Sequence, residues 1–140
     1  MNAGRLDVVL AVDPGTEKCG LAVVSAEGVA AREICPTARL VVRVRALCER
    51  LGVGRIVVGD GTNGRKLARA IGDQPDLPAT ELVDEAYTTL EAKNRYFYDN
   101  PPRGFRRLIP GSLLTPREPI DDYVAVILAE RAIERRPPGG

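Results

Sequence analysis

The sequence predicts an α/β domain built on a mixed five-stranded sheet with helices on both faces. Two observations carry that reading. Three short apolar segments follow one another near the start with only tight turns between them, as an antiparallel meander requires. Beyond residue 37, apolar segments alternate with stretches of helical periodicity, the mark of crossover units that add strands in parallel.

The first strand is LDVVLAVDP (6–14), Val-rich and bounded by charge and by Pro14-Gly15. GLAVVSAEG (20–28) and VAAREICP (29–36) complete the meander. From Thr37 to Leu51, Leu40, Val44, Leu47 and Leu51 recur as one buried stripe, and Gly52 closes the helix. RIVVGDG (55–61) is the fourth strand, NGRKLARAIG (63–72) a short helix, DQPDLP a loop and TELVDE (80–85) the fifth strand. In TTLEAKNRYFYDN (88–100), Thr88 followed by Glu91 reads as a capping box that starts a helix. Residues 100–119 hold five prolines and two glycines and form a long loop. IDDYVAVILAERAIERR (120–136) is the closing helix of a single domain spanning 1–136, and 137–140 a flexible tail.

Composition narrows the chemistry. The 140 residues suit one domain, and a net charge of +1 gives no global field to attract nucleic acid. Arginine outnumbers lysine 17 to 3, and a guanidinium grips phosphate through a planar fork. With no histidine, Ser-His-Asp and Cys-His nucleophiles and His-ligated zinc are excluded. Cys19, Cys35 and Cys48 lie far apart without a C-x-x-C, and read as buried small side chains. No apolar run approaches the ~20 residues of a membrane span, and the N-terminal MNAGRLD has no secretory pattern, so no membrane association and a cytoplasmic location are expected.

The informative residues are acids. Asp13 ends the first strand and Glu85 the last, and parallel strands put those ends on one edge, where ligands meet such sheets. Asp121 and Asp122 open the closing helix, where the helix dipole favours a carboxylate. Taken singly, each is an ordinary turn or cap residue. Gathered together they repel unless a cation neutralises them, and such a cluster is how two divalent ions are held for phosphodiester cleavage. On a helical wheel Asp122 lies nearer the centre of the apolar face than Asp121.

Two further segments face phosphate chemistry. Thr16, with the backbone N–H groups from Gly15 to Lys18 and the Lys18 ammonium, suits a phosphate. Between Asn100 and Glu118 the loop carries Arg103, Arg106, Arg107 and Arg117 around Phe105 with no acid among them, which suits a clamp combining phosphate pairing with base stacking. The alternative is a cover that packs Phe105, Leu108 and Ile109 on the core. The arginines of the first helix, Arg39, Arg43, Arg45 and Arg50, read as its solvated face.

LAVDPGTEKCGLAVV, RIVVGDGTNG, ELVDEAYTTLEA and IDDYVAVILAE, in that order, resemble the motifs of the YqgF/RuvX-like family of RNase H-fold nucleases, which includes the pre-16S rRNA nuclease and Holliday junction resolvases. The resemblance spans about residues 6 to 133. It implies an RNase H-like fold and a metal-dependent nuclease using two Mg²⁺ or Mn²⁺ ions. Asp13, Glu85 and Asp121 would be the catalytic acids and metal ligands, with Asp122 as second or replacement ligand. The implied substrate is precursor rRNA or branched or single-stranded DNA, and a resolvase would act as a homodimer. The chain departs from the family at Glu17, at Ala86 where the family carries Arg, in a shorter, more polar second loop, and in the long insertion before the closing helix. A catalytically weak nucleic-acid-binding module of the same fold is the alternative.

Overall fold

The structure, a computed structural model, describes residues 5–135; the expected tail over 137–140 and the last residue of the expected closing helix lie outside them. The elements are β1 (Arg5–Asp13), β2 (Lys18–Ser25), β3 (Gly28–Pro36), α1 (Leu40–Leu51), β4 (Val53–Gly59), α2 (Gly64–Gly72), β5 (Thr80–Val83), α3 (Thr88–Asp99) and α4 (Asp121–Glu134). The sheet runs β3-β2-β1-β4-β5. The first three strands pair antiparallel, β4 pairs parallel to β1, and β5 parallel to β4. This is the mixed five-stranded sheet expected from the sequence.

β1 lies in the middle, and alternate side chains serve opposite layers. Leu10, Val12, Leu21, Val23, Ile56 and Val58 cluster with Leu40, Val44 and Leu47 of α1 and with Leu67 and Ile71 of α2. Val9, Ala11, Ala22, Val24 and Val57 cluster with α4 and with Ala92 and Tyr96 of α3. Both faces are covered, which is why the central strands read as continuous apolar runs. Small side chains dominate the second layer: Ala11, Ala22, Ala125 and Ala129 are fully buried, and α4 packs across β1 and β2. That close approach brings the start of α4 to the carboxyl end of β1.

Three local expectations are corrected. Cys48 rather than Leu51 completes the buried stripe of α1, the chain leaving the helix at Gly52 in the left-handed conformation, φ 66°. The capping box does not form, although α3 does start at Thr88. Tyr87 enters the helix with φ 65°, the Thr88 hydroxyl donates back to the Glu85 carbonyl at 2.6 Å, and Glu91 accepts instead from Arg131 at 2.7 Å. The arginines of α1 are not merely solvated: Arg43 forks onto Glu33 of β3 at 2.7 and 2.8 Å, and Arg45 reaches Asp76 at 2.7 Å.

The 100–119 loop is ordered by two short 3₁₀ turns, Gly104–Leu108 and Gly111–Leu113, and is pinned by buried Leu114. It does not pack Phe105 and Leu108 on the core, since these are 76% and 86% exposed. All three cysteines are free and buried, as expected. Among the described residues no helix is long and apolar enough to cross a membrane.

Candidate active site at the carboxyl edge of the sheet

Asp13 is the last residue of β1 and pairs across the ladder with Gly20 of β2. Glycine at 20 is required by what lies above it: an added Cβ would collide with the backbone carbonyl of Asp121. The first residue of α4 is thereby seated over the cross-strand partner of Asp13. The two carboxyl groups are in hydrogen-bond contact, one of the causes that raise the Asp13 pKa.

Glu85 reaches the same edge by another route. β5 ends at Val83, two residues earlier than expected, and the chain turns under the control of Asp60. The Asp60 N–H donates to the Val83 carbonyl at 2.9 Å, and the Glu85 N–H donates to Asp60 Oδ1 at 3.2 Å. The Glu85 carboxylate folds back over Gly59 and Gly61, where any Cβ would strike it, and accepts from the Gly61 N–H. The Gly-Asp-Gly at the end of β4 is thus a seat for Glu85. Sequence reasoning missed both the seat and Asp60; the signal was a pair of glycines flanking an acid at a strand's carboxyl end.

Electrostatics bind these groups together. Burial, then the charges of Asp121 and Glu85, then the Asp121 hydrogen bond push the Asp13 carboxyl up to about 7. Glu85 is raised by burial and by the nearby charges of Asp60 and Asp84, with the Gly61 N–H opposing. Glu85 Oε2 and Asp121 Oδ2 are sealed from solvent without a hydrogen-bond partner. Such atoms are costly unless something compensates them. The nearest cation is Lys18, whose Nζ forms an ion pair with Asp121 Oδ2 at 3.5 Å, longer than a good hydrogen bond, from a half-exposed position.

Asp122 is not part of this group. Its carboxylate pairs with Arg32 Nε of β3 at 2.9 Å, and the Arg32 guanidinium lies 4.0 Å above the Tyr123 ring. Among the described residues no three acidic side chains form a ready cage for one ion. The donor set nevertheless fits a hard divalent cation: carboxylates alone, two orphaned oxygens, and a carboxyl group whose charge its neighbours resist.

The β1–β2 turn beside the acids is held rigidly. The Gly15 carbonyl accepts from the Thr37 hydroxyl at 3.0 Å and from the Asn63 amide at 3.4 Å, and a Cβ on Gly15 would meet the Lys18 carbonyl. Thr16 stands exposed at the tip. At Ala86, Arg131 of α4 donates to the backbone carbonyl at 2.6 Å, so a guanidinium stands beside the position where the resembled family carries Arg. In the long loop, Arg103, Phe105 and Arg107 are exposed, whereas Arg106 is half-buried and donates to the Thr115 carbonyl at 2.7 Å.

No protein-family model matches the sequence, and no curated protein matches it. Solved structures do. RuvC from Thermus thermophilus superposes with a TM-score of 0.57 at 15% identity, covering 92% of this chain and 95% of that one. RuvC from T. thermophilus in complex with a Holliday junction substrate gives 0.53 at 16% identity, covering 94% and 96%. At that identity the likeness is one of fold, and it makes this sheet, with its acids gathered at the carboxyl edge, an RNase H-like fold.

Proposed function

We propose that this chain is a divalent-metal-dependent nuclease that hydrolyses phosphodiester bonds in structured nucleic acid, with Asp13, Glu85 and Asp121 as its catalytic acids. The observation that carries this reading is the Asp13–Asp121 carboxyl pair with the charge of Glu85 beside it, at a place where burial first, and then these neighbouring acids, lift Asp13 to about 7. Mg²⁺ or Mn²⁺ held by these three acids would supply activation of the attacking water and stabilisation of the leaving oxygen.

The remaining work falls to the protein. The Gly61 N–H and the glycine seat orient Glu85. Lys18 partly neutralises Asp121 and stands ready to meet a phosphate. Thr16 and the backbone N–H groups from Gly15 onward present donors beside the acids. Arg103, Phe105, Arg106 and Arg107 contact the nucleic acid from the loop. The RuvC structure held with a Holliday junction substrate favours branched DNA, for which a homodimer would place two sites on one junction. The resemblance to the YqgF/RuvX-like family favours precursor 16S rRNA. A cytoplasmic enzyme suits either substrate.

The test incubates the protein with labelled four-way junction, precursor rRNA, single-stranded RNA and single-stranded DNA, each with Mn²⁺, Mg²⁺ or chelator. Cleavage is expected only with metal and is expected to disappear in Asp13→Asn. Cleavage that persists in that variant would overturn the assignment. A second reading, a nucleic-acid-binding module with little catalysis, is favoured by the lack of a ready three-acid cage among the described residues. It predicts undiminished binding by Asp13→Asn and no cleavage by the unmodified protein under any of these conditions.

A further inference from the structure

We propose that the cavity between α3 and the 100–119 loop is a pocket for one unpaired nucleotide of the substrate strand, an inference that deepens the nucleic-acid reading above and rests on it. The cavity measures about 240 Å³, and its walls include Tyr96, Phe97, Arg103, Arg106, Arg117 and Glu118. It is smaller than the roughly 300–1,000 Å³ of clefts that take drug-sized ligands, so its occupant is one ring with its phosphate.

One wall is aromatic and rigid. Tyr96 and Phe97 meet edge to face at 5.2 Å, and Tyr96 leans on Tyr123 at 5.7 Å in the same manner. The Tyr96 hydroxyl donates to Glu118 Oε1 at 3.4 Å, which turns that carboxylate toward the protein. The opposite wall is cationic. Arg106 is fixed by the Thr115 carbonyl, while the side chains of Arg103 and Arg117 make no hydrogen bond or ion pair among the described residues. Three guanidiniums against one engaged carboxylate suit a phosphate, and the aromatic wall suits a base.

The neighbouring cavity, about 310 Å³, sets the direction. It shares Tyr96 and Glu118 but carries Asp99 and Asp122 against a single arginine, Arg32, and so repels a phosphate strand. Glu118 precedes Asp121 by three residues, a span of at most about 11 Å along the chain. A nucleotide in the basic pocket and a phosphate at the carboxylates are therefore within about three nucleotides of each other on one strand. A paired base enters only at the cost of unpairing and unstacking, about a few kcal/mol, so the pocket favours a bulge, a fork or a junction arm over a continuous duplex.

Fluorescence anisotropy in chelator tests this without requiring catalysis. The probes are a perfect DNA duplex and the same duplex with one bulged thymidine, with free AMP as competitor. The bulged duplex is expected to bind about 10-fold tighter. Arg103→Ala/Arg117→Ala should bring that ratio close to one, whereas Arg107→Ala should weaken both probes alike and preserve it. AMP at millimolar concentration should displace only the bulged probe's advantage. Equal binding of the two duplexes by the unmodified protein, or a ratio that survives loss of Arg103 and Arg117, overturns the pocket and leaves the nuclease reading standing. AMP binding tighter than the bulged strand assigns the cavity to a free nucleotide and also overturns it. Failure to bind either duplex overturns the nucleic-acid reading itself.

Discussion

Asp121 and Asp122 are adjacent residues in the first turn of α4, yet they belong to two different corners of the molecule. Asp122 faces β3, where Arg32 pairs with it at 2.9 Å and stacks over Tyr123, whose hydroxyl donates to Asp99 at 3.0 Å. At that corner Asp122 has a guanidinium as its partner and Asp99 a tyrosine hydroxyl. Asp121 faces β1, where it meets another acid and leaves one oxygen without a hydrogen bond. Among the described residues the cation that pairs with it is a half-exposed lysine at 3.5 Å. Two identical side chains under one helix dipole thus differ in what the sheet offers them. A satisfied acid is part of the scaffold. An acid held against its like is a cost to the fold.

The widest separation between the two corners should appear in catalysis. Asp121→Asn is expected to lower metal-dependent cleavage by about 10³-fold or more, and Asp122→Asn by less than about 10-fold. Stability should move in opposite directions. In chelator, Asp121→Asn raises the melting temperature by relieving repulsion, and Asp122→Asn lowers it, at a cost of about 1 kcal/mol for the broken pair. Equal losses of cleavage, or shifts of the same sign, would erase the distinction.

A smaller effect tests how α4 is seated. Gly20→Ala drives a methyl group into the Asp121 backbone and is expected to cost about 1–3 kcal/mol in denaturant unfolding. Because the methyl meets the peptide that joins Asp121 to Asp122, cleavage should fall and the Arg32–Asp122 coupling energy, read in a double-mutant cycle, should fall with it. Retention of full activity by this variant would show that the contact does not position the site.

The smallest and most specific effect is in pH. The Asp13 carboxyl titrates near 7 in the fold against an ordinary value of 3.8, so the native state holds its proton more tightly than the unfolded chain does. That contribution to stability is complete below about pH 4 and is lost as pH rises through about 7. Chelated protein should therefore weaken over this window, and Asp13→Asn should flatten that part of the profile. Added Mg²⁺ or Mn²⁺ should raise the melting temperature more at pH 8 than at pH 5, where the proton already does the neutralising.

Much of this was legible because it is local. Val-rich runs between turn residues gave the strands, and Gly52 after an apolar stripe gave the end of α1. Asp13 before Pro14-Gly15 and Asp121 at a helix start announced acids at element ends. The misreadings fall where distant residues compete for a local group. Thr88 and Glu91 have capping-box spacing, but Arg131, 40 residues on, takes the Glu91 carboxylate with a charge-assisted bond. Asp122 lies nearest the apolar face on a helical wheel and so looked available to the site, but Arg32 in β3 claims it. Gly59 and Gly61 read as the end of the fourth strand, and only the folded Glu85 side chain shows that a Cβ at either would displace its carboxylate.

The sequence by itself determined the order and kind of the elements, the absence of histidine chemistry, and which acids stand at the ends of strands and helices, because periodicity and turn chemistry act over a few residues. Tertiary structure alone decided which acids meet. That choice depends on glycines that let α4 and Glu85 approach the sheet, and on an arginine in β3 that draws one of two neighbouring carboxylates away. Electrostatic interaction is set by distance through space, and spacing along the chain does not encode that distance.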